Sequence, residues 1–468
     1  MLTYTFEQRN DKPYYQYLYE CIKEDIEKGN LTEGAKLPSK RAFAKQLGLS
    51  VMTIASAYEQ LLVEGYIVAE EKKGYYVAAV QPQIKAQMPM QQEFPEISKE
   101  QTERAWYMDF ASNHVARDCF PMNTWSHLMR GVLNDAAQDI LNSTPPQGVY
   151  VLRQAIASHL FHFRGMRVVP EQIVIGAGTE YLYHLLIQLL GREHIYGMEN
   201  PGYQKLAKIY AGNGVNHRYV ALDEHGLSMT SLREQEVEII HTSPTHHFPT
   251  GIVMPISRRQ KLLAWATEKE GRYIIEDDYD CEFRFGGLPI PTLQSIDTAG
   301  RVIYLNTFSK SLTPSIRISY MVLPQALVET FQEKLGFYAC TVSNFEQYTL
   351  AAFLQQGYFE KHINRMRNFY KNHRNQVIAA LRSSALWEMA SIYEEDSGLH
   401  FLLHIKTEKE DAAIKEELAE KGIRLRSMSD YSYEKNVVSP HTFIINYTAI
   451  DLQKLPEIWE EIYKVCKD

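Results

Sequence analysis

Between residues 173 and 323 short apolar runs alternate with longer amphipathic ones, and no other feature of the chain constrains its fold as strongly. "QIVIGAG" precedes "TEYLYHLLIQLLG", "HIYGMEN" precedes "GYQKLAKIYAGNG", and "EVEIIHTSP" precedes "SRRQKLLAWATEKE"; "RYIIEDDYD", "RVIYLNTFS" and "RISYMVLP" follow. Continuous short apolar runs suit strands buried on both faces, and the helical period between them suits helices that cover those faces. The pattern predicts an α/β unit, a mostly parallel sheet between helices. Ligands in such sheets bind just beyond the carboxyl ends of the strands, so the residues at those ends carry the chemistry.

That unit does not account for the whole chain. With 468 residues, the protein exceeds one ordinary core, since domains run to roughly 100–200 residues. Hydrophobic content of 45% and charged content of 23% suit a globular protein, and no apolar run approaches the ~20 residues of a membrane helix. The start "MLTYTFEQRNDKPYY" lacks a basic stretch followed by an apolar one, so secretion is not expected. Five cysteines without CxxC spacing argue against a disulfide framework or a metal site and for a reducing cytoplasm. The net charge of -8 means that any binding to nucleic acid must come from a local basic patch.

Residues 1–78 supply one. "YYQYLYECIKEDI" has helical spacing from Tyr14 to Ile26, broken by Gly29 and Gly34. In "KLPSKRAFAKQLGLS", Ser39 can cap a helix with Ala42, Phe43 and Leu47 facing inward, before Gly48 turns the chain. A further helix starts at Ser50, and the two make a helix-turn-helix. "YIVAEEKKGYYVAAV" reads as two strands around a turn with Lys72, Lys73 and Gly74, a wing. Ten Lys and Arg face eleven Asp and Glu over residues 1–78, so only one face is basic, formed by Lys36, Lys40, Arg41, Lys45 and the wing lysines. Small helical domains also serve as protein-interaction modules.

These landmarks resemble the winged helix-turn-helix of GntR-type bacterial regulators, which carry Leu-Pro-Ser-x-Arg and Ala-Tyr-x-x-Leu-x-x-Glu-Gly. The resemblance implies DNA contacts from Lys36, Ser39, Lys40, Arg41, Ser50, Thr53, Lys73 and Gly74. Phosphate contacts give salt-dependent affinity while the second helix reads bases. The family usually has Ser-Arg where this chain has Ser50-Val51, which bears on the operator sequence. Residues 79–105, rich in Gln, Pro and Glu, read as a flexible linker to an effector domain over residues 106–468.

Three strand ends in that domain are chemically suggestive. "VIGAGTEYL" sets Gly176, Ala177, Gly178 and Thr179 between a strand and a helix, where free N–H groups suit a phosphate. "IIEDDYD" ends a buried strand with Glu276, Asp277, Asp278 and Asp280, four carboxylates that cannot all be buried; one buried carboxylate would hold a positive charge on a ligand. "NTFSKSLTPSIRISY" places Lys310 at a third strand end, a lysine readily deprotonated and able to form a Schiff base with an aldehyde. Thr307, Ser309 and Arg317 would take a phosphate, Arg317 through a bidentate fork. An aldehyde with a phosphate and a ring nitrogen needing a carboxylate is pyridoxal 5'-phosphate. "TFSK" also fits the Ser/Thr-x-x-Lys start of penicillin-interacting enzymes, but the chain has no Lys-Thr-Gly.

From about Met108 onward, "YIIEDDYDCEF", "RVIYLNTFSKSLTPSIRISYMVLP", "ENPGYQK", "SPTHHFPTGIVMPISRR", "PQGVYVLRQAIASHL" and "GLHF" are similar to the MocR/GabR-type regulators. These fuse a GntR-type domain to a fold-type I aminotransferase-like domain with a smaller C-terminal subdomain. The resemblance implies Lys310 as the Schiff-base lysine and Asp277 as partner of the pyridinium nitrogen. It further implies Tyr279 near the ring oxygen, Tyr203 beside the ring, and Ala177, Gly178, Thr179, Ser309 and Arg317 around the phosphate. A head-to-tail homodimer and a double-stranded DNA operator are also implied.

Departures from the family pattern bear on the effector. GABA-responsive members have an arginine after a Met-Ser pair, where "RSMSDYSY" has Asp430; near "PGY" they have an arginine, here Lys205. Aminotransferases carry a substrate arginine near the chain end, where "FIINYTAI" has Asn446, and the Asn of their Asn-Pro-x-Gly loop is absent from "HHFPTG", leaving His246. The expected effector is thus an amine or amino acid other than GABA, with a cationic or polar end facing Asp430 and a carboxylate open to Arg424 or Arg426. The implied function is a transcription regulator that senses this effector through an external aldimine at the cofactor. An active aminotransferase, or a regulator sensing pyridoxal phosphate itself, are the alternatives. The basic run "KHINRMRNFYKNHRNQ", with Arg365, Arg367, Lys371 and Arg374, reads as the solvated face of a long helix before it reads as a DNA contact.

Overall fold

The computed structural model describes residues 3–6, 9, 11–80, 105–112, 119–285, 290–396, 398–433 and 439–467. Of the expected linker, residues 81–104 lie outside the described residues. The chain divides into two compact units, residues 1–102 and 103–468.

The first unit contains α1 (Tyr14–Glu27), β1 (Lys36–Leu37), α2 (Lys40–Leu47), α3 (Val51–Val63), β2 (Ile67–Glu70) and β3 (Gly74–Val77). Ser39 Oγ accepts the Ala42 N–H at 3.3 Å and Ser50 Oγ accepts the Thr53 N–H at 3.0 Å, so both serines start helices. Each cap stabilises its helix by about 1 kcal/mol. Gly48 closes α2 at φ +67, a conformation open to glycine. Leu18, Ile22, Phe43, Ile54, Ala57, Tyr58 and Leu61 fill the core, and the buried Tyr58 hydroxyl donates to the Pro38 carbonyl at 2.9 Å. One expectation is corrected: Ala44, not Ala42, faces inward beside Phe43, and Ala42 is exposed. At 100° per residue, Ala44 and Leu47 flank the same side of Phe43, whereas Ala42 turns away. The central strand β3 pairs with β1 and β2, and β1 is too short to show a period.

In the second unit β4 (Met108–Asp109) is followed by eight strands: β5 (Ile173–Gly176), β6 (Tyr196–Asn200), β7 (His217–Asp223), β8 (Gly226–Leu227), β9 (Ile239–Thr242), β10 (Tyr273–Asp277), β11 (Val302–Thr307) and β12 (Ser319–Val322). These make one sheet in the order β5, β12, β11, β10, β9, β6, β7, β8. From β11 to β7 neighbours run parallel, and β12 is antiparallel to both of its neighbours. Strands β9 and β11 are buried throughout, which is why they read as unbroken apolar runs. Helices Thr179–Leu190, Gln204–Gly212 and Ile256–Thr267 alternate with the strands.

A 25-residue helix, Tyr358–Arg382, leads into a smaller part with its own antiparallel sheet. Here β13 (Ala390–Tyr393), β14 (His400–Ile405), β17 (Thr442–Asn446) and β16 (Arg426–Ser427) pair in that order, while β15 (Ile423–Arg424) pairs with β4. The arginines of the long helix bind within the protein: Arg365 donates to the Cys119 carbonyl, Arg367 to that of Glu282 and Arg374 to that of Glu395. Among the described residues no helix is long and apolar enough to cross a membrane, and no group of His, Cys, Asp and Glu is arranged to hold a metal.

Candidate functional site

Strand register gathers the suspected residues at one edge of the large sheet. Gly176 at the end of β5 pairs with Ser319, and Ser319 pairs with Thr307 at the end of β11. Next to β11, β10 ends at Asp277, which pairs with Leu305. The "GAGT" turn, the Lys310 segment, Arg317 and the "EDDYD" run therefore leave the sheet side by side.

The corner expected to hold a phosphate combines two residues with positive φ. Gly178 precedes helix Thr179–Leu190 at φ +94, and a Cβ there would lie 2.3 Å from Arg317 Nη2. Arg317 itself sits at φ +49, donates to the Ala177 carbonyl at 3.2 Å and keeps half of its side chain exposed. The positive φ at Gly178 is what favours glycine there, since the half-exposed Arg317 side chain could swing aside. The Ala177 N–H, expected to be free, donates to Thr341 Oγ1 at 3.0 Å. Thr307, expected near the phosphate, caps the short helix Phe308–Ser311: its Oγ1 accepts from the Ser309 N–H at 3.1 Å and from the Ser319 hydroxyl at 2.8 Å.

Lys310 lies in that short helix, partly buried. Burial lowers its ammonium to about 8, and Asp280 pulls the other way. A substantial neutral fraction near physiological pH is what a Schiff-base nucleophile needs.

As expected, the four carboxylates of the acidic run are not all buried, Asp277 being only partly so. Glu276, Asp278 and Asp280 are all buried, each held by partners distant in the chain. Glu276 accepts the N–H groups of Leu293 and Gln294 at 2.8 and 2.9 Å, and burial pushes it up to about 7. Asp278 meets Arg164 at 2.5 Å, the Tyr304 hydroxyl at 2.8 Å and the Thr245 hydroxyl. Asp280 holds His246 Nδ1 at 2.8 Å. Burying these charges without such partners would cost several kcal/mol each, on the order of the desolvation penalty of an ion.

Among the four carboxylates of this run, Asp277 keeps a buried oxygen without a protein partner, as Glu282 does beyond it. Its Oδ2 accepts the Tyr183 hydroxyl at 2.6 Å and lies 3.5 Å from His241 Nε2, whose ring Nδ1 is 3.0 Å from the Tyr210 hydroxyl. Its Oδ1 is buried and unsatisfied. Burial and the Asp277 charge push the Tyr183 phenol up, keeping it a donor. A cationic N–H is the group this oxygen lacks. An amine with lowered pKa, a carboxylate short of one donor, and an arginine over a glycine turn fit pyridoxal phosphate at its aldehyde, ring nitrogen and phosphate.

Around this centre, the Tyr279 hydroxyl is 3.2 Å from His246 Nδ1. Burial works against a charged His246, but Asp280 outweighs it and the net shift is upward. Burial lowers both His247 and His400 to about 3, so these two stay neutral. Tyr203, 43% exposed, stands at the rim before helix Gln204–Gly212, and Lys205 bonds Glu180 at 3.0 Å. The segment carrying Asp430 touches this rim, as the Gly202 N–H donates to the Tyr431 carbonyl at 3.0 Å and Phe248 packs edge-on to Tyr431. Asp430 itself is held by Lys415 and by the Ser427 N–H at 3.0 Å, with Arg426 4.0 Å away. Its charge is already shared. Arg164, Tyr183 and His241 were not anticipated from sequence: they lie 114, 94 and 36 positions from the carboxylates they meet, and no local pattern marks them.

In the first unit some of the expected DNA contacts lie together at the wing. Lys36 and Lys40 stand over the rings of Tyr76 and Tyr75 at 5.6 and 5.2 Å, which ties the start of α2 to the wing. A Cβ at Gly74 would touch Lys36 Cε at 3.5 Å. Arg41 is exposed, Lys73 pairs with Glu70 at 3.0 Å, and the Ser50 and Thr53 hydroxyls are 2.8 Å apart.

Comparison with known proteins joins the two halves. Residues 14–77 match the gntR family of bacterial regulatory proteins and residues 107–462 match aminotransferase class I and II. YdeL, an HTH-type transcriptional regulator of Bacillus subtilis, is 38% identical over 90% of each chain. PdxR of Corynebacterium glutamicum, an HTH-type pyridoxine biosynthesis transcriptional regulator, is 30% identical over 88% of each. Among solved structures, kynurenine aminotransferase of Pyrococcus horikoshii superposes with TM-score 0.68 at 24% identity, over 77% of this chain and 90% of its own. The chain belongs to the MocR/GabR-type regulators of the gntR family, in which a winged helix-turn-helix is joined to an aminotransferase-like domain that takes pyridoxal 5'-phosphate.

Proposed function

We propose that the aminotransferase-like unit senses an amine or amino-acid effector and that its occupancy alters how the winged helix-turn-helix engages an operator. The carrying observation is the pairing of Lys310, lowered to about 8, with the unsatisfied Oδ1 of Asp277 at neighbouring strand ends. When bound, the cofactor supplies an aldehyde that exchanges its lysine amine for that of a ligand. Lys310 would provide the amine for the aldehyde, Asp277 would pair with the ring nitrogen, and Arg317 with the Gly178 turn would hold the phosphate. Tyr203, Tyr279 and Ser309 complete the cofactor's surroundings in this reading. Lys205, His246, Arg426 and Asp430 are proposed to meet the effector. Asp430 shares its charge with Lys415, so the effector's far end faces a partly neutralised carboxylate. A ligand must bind one conformation of the protein better than another to have any regulatory effect. The unit works as a head-to-tail homodimer in the cytoplasm, with residues 79–105 as linker.

The test is an absorbance spectrum of wild type and Lys310→Ala with pyridoxal phosphate, titrated with a panel of amines. A visible cofactor band in wild type alone, shifted by particular amines without keto-acid release, is the expected result. Absence of the band in wild type would overturn the reading, and steady keto-acid release would make the protein an enzyme. The likeness to PdxR favours a second reading, in which pyridoxal phosphate itself is the signal. In that case no amine alters operator affinity once cofactor is bound.

A further inference from the structure

The first turns of α3 present an unusual surface for a helix meant to read bases. Ile54, Ala57, Tyr58 and Leu61 are buried in the domain core. What α3 turns away from that core, from its start to its second turn, is Val51, Met52, Thr53, Ala55 and Ser56. Val51 is 46% exposed and Met52 77% exposed. Guanine is read in the major groove by Arg or Lys, and adenine by the paired donor and acceptor of Asn or Gln. None of those side chains occurs on these turns. The nearest amide, Gln60, lies in the third turn and donates to Glu64 at 2.5 Å, and the Thr53 hydroxyl is already engaged with Ser50.

The surface remaining is apolar, and the same domain carries exposed charge of the right sign for a duplex. Lys36, Arg41, Lys72 and Lys73 are exposed at the start of α2 and on the wing, where they suit phosphates. Thymine is the one base that offers an apolar group, its 5-methyl, in the major groove. Resting on the DNA-binding reading of this domain, we propose that Val51 and Met52 determine operator specificity by contacting thymine 5-methyl groups. Each half-site then carries one or two thymines whose methyls, rather than hydrogen-bonding edges, are recognised.

Full-length protein with pyridoxal phosphate is used to select sites from a random duplex library. The selected duplex is then resynthesised with deoxyuridine replacing thymidine one position at a time, which removes only the methyl. At one or two positions per half-site affinity falls about fourfold, the effect of one lost buried methyl. Met52→Ala or Val51→Ala abolishes that difference while leaving the salt dependence of binding unchanged, since neither contacts a phosphate. Both side chains are exposed, and far-UV circular dichroism verifies that the variants fold. Uniform affinity across all deoxyuridine duplexes, or methyl sensitivity that survives both substitutions, overturns the inference. Failure to enrich any site overturns the DNA-binding reading and the inference with it.

Discussion

Lys310→Met is expected to stabilise the cofactor-free protein at neutral pH, although it removes the lysine proposed to carry the cofactor. Burial lowers the Lys310 ammonium from 10.5 to about 8, and at about 1.4 kcal/mol per pH unit the charged form destabilises the folded unit by roughly 3 kcal/mol. The sign follows from proton counts. Below about pH 8 the lysine is protonated in both folded and unfolded chains, so the full cost is present. Between about 8 and 10.5 the unfolded chain keeps a proton that the folded one has lost, and raising the pH favours folding. Methionine has similar length and no charge, and Asp280 retains His246 as partner when the lysine is gone. Urea denaturation of wild type and variant from pH 6 to 10, without cofactor, measures the difference. The variant is expected to lead by up to about 3 kcal/mol at pH 7, with the lead shrinking above pH 8. A variant no more stable than wild type at pH 7, or a difference independent of pH, would falsify the picture of a lysine held with its charge disfavoured.

Asp277→Asn should weaken pyridoxal phosphate binding about 10- to 100-fold, the loss of a charge-assisted hydrogen bond of roughly 1.5–3 kcal/mol; equilibrium dialysis measures it, and unchanged affinity would remove Asp277 as the ring partner. Gly178→Ala places an alanine at φ +94 with its Cβ 2.3 Å from Arg317 Nη2, so the second unit is expected to lose about 1–3 kcal/mol of stability in the same urea assay. Arg164→Met strands the buried Asp278 carboxylate and should destabilise the second unit by about 3–5 kcal/mol; the double variant with Asp278→Asn should recover part of that loss in the same urea assay.

Local features could be read without the fold because they need only neighbouring residues. Ser39 and Ser50 cap the helices that follow them, and Gly48 makes the turn between, because a cap and a left-handed turn involve atoms within a few positions. The same is true of the "GAGT" turn and of the alternation of apolar runs, which buried parallel strands require. The inward face of α2 was placed one side too far round, since a single short helix gives little to fix its rotation before it packs.

The acidic run "EDDYD" marks the division most clearly. By itself the sequence determined that carboxylates would cluster at the end of a strand and that Lys310 would stand at the end of another, because strand and helix periods are properties of consecutive residues. Which carboxylate keeps an unsatisfied oxygen was decided by tertiary structure alone: Arg164, Tyr304 and Thr245 satisfy Asp278, backbone N–H groups satisfy Glu276, His246 satisfies Asp280, and Tyr183 meets only one oxygen of Asp277. Burial and charge pairing depend on groups brought together by packing, not by the order of the chain, so the oxygen open to a ligand appears only once the strands and helices are assembled.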